Sequence, residues 1–94
     1  MSSAKRAASA YGVFKGDESL TVSSTAVALT VPTGSLSALI TNGSNEIRVR
    51  WGTPTTSVGH ALNPNSVMEV FNSMDTVKLI AAGSDSTIFV TYFG

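Results

Sequence analysis

From Ser19 to Phe93 the chain alternates apolar and polar residues in short runs, each closed by a cluster of Gly, Pro, Asn or Ser. Period-two alternation belongs to strands with one buried face, and breakers at such close intervals predict an all-β domain. The clearest run is Glu46–Trp51, where Ile47, Val49 and Trp51 fall on one face and Glu46, Arg48 and Arg50 on the other. Ala26–Val31 places Val27, Leu29 and Val31 together, and Leu36–Thr41 does the same for Leu36, Ala38 and Ile40. Ser19–Val22, His60–Leu62, Val67–Phe71, Thr76–Ala82 and Ser86–Phe93 complete the predicted strands. The last is apolar on both faces, as a central or covered strand would be.

The breakers predict the connections. Pro32-Thr33-Gly34 ends one strand, and Lys15-Gly16-Asp17 reads as a turn. Asn42-Gly43-Ser44-Asn45 is the strongest hairpin signal, because Asn and Gly accept the positive φ of tight two-residue turns. Asn72–Asp75 and Ala82–Asp85 are further turns, and Gly52–Ser66 is the longest irregular stretch. Seven or eight short strands in this length predict a small antiparallel β-sandwich or jelly-roll-like barrel. Residues 1–16 form an expected N-terminal arm and residues 17–94 the sandwich domain.

Composition sharpens this picture. Ninety-four residues make one domain near the lower limit for a self-sufficient core. There is no cysteine and one histidine, so neither a disulfide nor an ordinary structural zinc site can brace it. Oligomerisation is the remaining common device. The six basic and six acidic residues cancel, and charged residues are only 13% of the chain, which leaves little electrostatic protection against association. The arm carries Lys5, Arg6 and Lys15 with no acid. Three charges neutralise too few phosphates for strong nucleic-acid binding, so a specific nucleic-acid partner is not expected. No stretch approaches the roughly 18 apolar residues of a membrane helix, and the first ten residues lack the apolar segment of a secretory signal. Synthesis in a cytoplasm without membrane attachment is expected.

Little in the chain reads as chemistry. A triad of Ser57 or Ser66 with His60 and Asp75 would need a nucleophile–base–orienter geometry that no local motif announces. The acids are dispersed, with no Asp-x-Asp loop for calcium. No catalytic residue, metal site or cofactor is therefore expected. Asn42-Gly43-Ser44 matches a glycosylation acceptor, but the turn reading explains the same residues. Arg48 and Arg50 lie two apart, hence roughly 6–7 Å apart on one strand face, placed either to grip carboxylates or to pair with Glu46 or Glu69. Trp51 is expected in the core, with stacking on a sugar as its other use. Tyr11 and Phe14 either pack back on the domain or anchor the arm on a neighbour.

The runs Leu29–Gly34, Ala38–Ile40 and Ile47–Gly52 with Pro54, Thr55 and Gly59, and the close Lys78–Ile80, Gly83-Ser84 and Ile88–Phe93, resemble small virion proteins of tailed bacteriophages. The resemblance covers residues 20–94 and implies a β-sandwich with a structural role in the particle, first of all a head decoration or cement protein. Such proteins clamp adjoining subunits of the major capsid protein, often as trimers, so a homo-oligomer, a trimer first, is expected to locate to the virion. Lys5, Arg6, Tyr11, Phe14, Arg48 and Arg50 are the expected interface residues. The alternatives are a neck or tail structural protein and a carbohydrate-binding module using Trp51 and the 52–66 loop.

Overall fold

A computed structural model describes residues 12–94. Eight strands form two four-stranded sheets. They are β1 (Phe14–Val22), β2 (Val27–Ala28), β3 (Ser37–Thr41), β4 (Ile47–Trp51), β5 (His60–Leu62), β6 (Val67–Phe71), β7 (Val77–Ala81) and β8 (Ser86–Phe93), with a 3₁₀ turn at Met74–Thr76. The first sheet runs β1-β8-β3-β6 and the second β2-β7-β4-β5, with antiparallel pairing throughout both sheets. This strand order is that of an eight-stranded jelly roll, and the expected antiparallel β-sandwich is what the chain forms.

Alternation explains the layers. Val22, Ala38, Ile40, Val70, Ile88, Val90 and Tyr92 project inward from the first sheet, and Ile47, Val49, Leu62, Leu79 and Ala81 from the second; all are buried. The predicted spans of β5, β6 and β8 match the structure residue for residue, and β8 lies between β1 and β3 as a doubly apolar strand should. Four expectations fail. Lys15-Gly16-Asp17 is a bulge inside a longer first strand, not a turn: pairing with β8 slips between Phe14 and Gly16, and Gly16 takes a φ of 144°, which favours glycine. Ala26–Val31 pairs only at Val27 and Ala28. Leu36 is not inward with Ala38 and Ile40; it lies one residue before β3 and is exposed.

The fourth failure is the Asn-Gly hairpin. β3 and β4 belong to different sheets, so Asn42–Asn45 crosses from one layer to the other. Asn42 is buried and acts as a cross-linker. Its Nδ2 donates to the carbonyls of Asn45, Leu62 and Asn63 at 2.8, 3.0 and 3.1 Å. Its Oδ1 accepts from the Gly43 N–H and the Ser86 hydroxyl, both at 2.8 Å. Gly43 is needed for proximity: a Cβ there would stand 2.5 Å from the Thr87 carbonyl oxygen. The same two residues that signal a hairpin therefore weld β3, β5 and β8 together at the crossover.

A second polar stitch lies on the inner side of β1. Glu18 accepts from the Tyr92 hydroxyl and, at 2.8 Å, from the Thr30 backbone N–H. Burial, then the hydrogen bond to Glu18 and its charge, push the Tyr92 hydroxyl well above the ordinary phenol range.

Candidate interaction surfaces

Because Ile47 and Val49 point inward, Arg48 and Arg50 point outward from the second sheet. Register then adds a residue that sequence reasoning missed: Lys78 of β7 stands directly opposite Arg50, and Ile80 opposite Arg48. Three of the cations among the described residues thus share one sheet face. Like charges directly opposite across strands repel, so this arrangement costs stability. Of the three, Arg48 alone has a counter-ion, Glu46, at 3.4 Å between partly exposed groups. Arg50 instead donates through Nη1 to the Thr53 carbonyl at 3.0 Å, which steers the guanidinium along the surface without neutralising it. Glu69, the other expected partner, lies on β6 of the opposite sheet and cannot serve. The signal for Lys78 is present in its own alternation, but the pairing of β4 with β7 is not local in sequence.

Trp51 shares the inward face of β4, opposite Val77, yet it lies past the rim of the core and is 40% exposed. The expectation of a core tryptophan is corrected: the sandwich ends before the strand does. Its indole N–H donates to the Asn72 carbonyl at 3.0 Å, bridging the two layers. The His60 ring meets it edge-on, centroids 6.1 Å apart at 84°. Near the same end, the segments 31–36 and 72–75 enclose an open depression of about 330 Å³ that Pro32, Leu36, Met74 and Asp75 help to line. Ser57, Ser66 and Asp75 do not bond to His60, so the sequence's triad candidates are not assembled. Among the described residues no three His, Cys, Asp or Glu side chains gather to hold a metal, and no helix is long and apolar enough to cross a membrane.

Phe14, in contrast, sits on the outer face of the first sheet, opposite Phe93, and is 58% exposed. Lys5, Arg6 and Tyr11 lie outside the described residues. The structure thus separates the expected interface residues it describes: Arg48 and Arg50 on one face of the sandwich, Phe14 on the other. Compared with known protein families, curated proteins and solved structures, the chain matches none of them.

Proposed function

We propose that this chain is a structural protein of a bacteriophage virion, specifically a decoration or cement protein that binds at junctions of the major capsid protein and stabilises the head. The observation that carries the reading is the Arg48–Arg50–Lys78 face, where like charges are held side by side at a cost and only one has an internal counter-ion. Carboxylates on a partner surface would offset that repulsion, and Arg binds them in bidentate geometry. The face is the outer surface of a sheet, and its three cations do not line the depression between segments 31–36 and 72–75, which suits a protein partner better than a small substrate. The sequence resemblance to phage virion proteins supplies the kind of partner.

The test is co-sedimentation with empty capsids of the phage that encodes the chain, using wild type and an Arg50→Glu, Lys78→Glu double variant. Binding at hundreds of copies per particle that is lost in the folded double variant supports the reading. Equal binding by both removes the charged face from it. Enrichment in neck or tail fractions instead of heads would move the role to those parts of the particle. The contribution of the arm is tested by deleting residues 1–11, since β1 already begins at Phe14.

A second reading rests on the half-exposed Trp51 beside His60. Such a ring can stack on a sugar face, which makes a carbohydrate-binding module the competing assignment. Glycan binding that disappears in Trp51→Ala while the fold persists would favour it.

A further inference from the structure

The outer face of the first sheet is unusually apolar for a surface. Register aligns its outward residues in rows across β1, β8, β3 and β6. One row is Phe14, Phe93, Ser37 and Phe71; the next is Asp17, Thr91, Leu39 and Glu69; the third is Ser19, Phe89, Thr41 and Val67. Phe14, Phe71, Phe89 and Val67 are 58%, 53%, 49% and 56% exposed. With roughly 200 Å² available to a phenylalanine, these four alone leave about 400 Å² of apolar surface open. That is as large as the biggest apolar patch on a typical monomer. The partly exposed residues between them extend the face further, and about 600 Å² from each copy is what brings a pair to the lower bound of a stable interface, about 1,200 Å² in total.

We propose that this face is covered by the same face of a second copy, the two related by a two-fold axis running along the strands between β8 and β3. The argument is the phase of the side chains on the two central strands. Down β8 the outward residues read Phe93, Thr91, Phe89; down β3, in the same rows, they read Ser37, Leu39, Thr41. Large faces small in every row. A two-fold axis along the strands exchanges β8 with β3 and keeps the rows. It lays Leu39 over Thr91 of the second copy and Phe89 over its Thr41. The ridge of one strand fills the groove of the other, with the twist of each sheet setting the crossing near 30°. The interface is self-complementary, as a two-fold contact must be.

The same operation stacks Phe14 of β1 on Phe71 of β6 in the second copy, at either margin. It also brings Asp17 over Glu69, the only charged residues in these three rows, once at each rim. Two like-charged contacts at a solvated rim weaken the pair at low salt and are screened at high salt. The pairing uses the face opposite Arg48, Arg50 and Lys78, so it leaves the basic face open and does not depend on the virion reading.

The experiment is light scattering on the full chain from micromolar to millimolar concentration, at low and high salt. The expected mass is twice that of the chain, with association strengthening as salt rises. Phe89→Glu is expected to weaken association at least 100-fold, and Thr41→Arg, at the position that receives Phe89, to do the same. Circular dichroism checks that each variant keeps its β fold, and either folded variant suffices. Glu69→Lys places opposite charges at both rims; it is expected to tighten the pair about fivefold at low salt and to reverse the salt dependence. A monomer throughout the range, a trimer, or an unchanged mass in a folded Phe89→Glu or Thr41→Arg variant overturns the proposal. A Glu69→Lys variant that keeps the wild-type salt dependence overturns the axis.

Discussion

Replacing Asn42 with alanine separates two readings of the same tetrapeptide. In an exposed hairpin, Asn42→Ala would remove a favourable turn residue and cost well under about 1 kcal/mol. In the jelly-roll crossover it removes three donated and two accepted hydrogen bonds from a buried side chain. Two of these, to the Leu62 carbonyl and from the Ser86 hydroxyl, are fully buried, so their partners cannot turn to water. A buried polar group left unpaired costs about 1–3 kcal/mol. The partners at Gly43, Asn45 and Asn63 are only partly buried and recover most of their loss through solvent. The two buried partners together make the loss about 2–6 kcal/mol. A domain of this size is stable by only about 5–14 kcal/mol, so the loss is a large share of the whole.

Urea denaturation followed by tryptophan fluorescence reads this directly, because the lone tryptophan, Trp51, sits at the rim of the sandwich. At a slope near 1 kcal/mol per molar urea, the midpoint should fall by about 2 M or more. Asn42→Asp should be at least as damaging, since it sets a carboxylate against three carbonyl oxygens that now lack a donor. A loss below about 1 kcal/mol for Asn42→Ala would refute the reasoning and return the segment to an ordinary surface turn.

Three further outcomes follow from the same geometry. Gly43→Ala sets a methyl 2.5 Å from the Thr87 carbonyl oxygen and should cost about 1–3 kcal/mol in the same denaturation assay, although alanine is otherwise a benign replacement. Tyr92 has its hydroxyl pKa raised in the folded chain, so its contribution is complete below the unfolded value near 10 and is lost as pH rises toward the folded value. Stability should therefore fall by about 1.4 kcal/mol per pH unit above pH 10 from this group, and Tyr92→Phe should remove that slope. Lys78→Glu turns the repulsive pair with Arg50 into an attractive one; thermal melts at low salt should show a gain of about 0.2–1 kcal/mol that fades at high salt.

What can be read from the chain and what cannot divide along one physical line. Alternation is a local property, so the strand spans at 60–62, 67–71 and 86–93, and the inward residues Ala38, Ile40, Ile47 and Val49, are legible in the order of the residues alone. Pairing is not local. In a jelly roll nearly every connection passes between layers, and only β4 and β5 are neighbours both in sequence and in a sheet. A turn signal such as Asn-Gly reports that the backbone bends; it does not report which partner waits on the far side. The bulge at Gly16 hides the start of β1 for a related reason, since an extra residue breaks the very alternation that marks a strand.

The same line runs through the candidate surfaces. Arg48 and Arg50 are visible as a pair because they lie two apart on one strand. Lys78 joins them only through the register of β7 against β4, and the chain gives no hint of it 28 residues earlier. The outer face of the first sheet is still further from view. Its rows draw on four strands from Phe14 to Phe93, and each strand taken alone shows at most two outward phenylalanines, an unremarkable number. It is the assembly of those strands that makes one face basic and the opposite face apolar. A sandwich with two unlike outer faces can meet two kinds of neighbour at once, a copy of itself on one side and a carboxylate-bearing surface on the other. Variants on the two faces should therefore act independently: Phe89→Glu should change the mass in solution without altering Arg50-dependent binding, and Lys78→Glu should do the reverse. Coupling between the two effects, measured as a double-mutant cycle, would mean that one face, not two, carries the association.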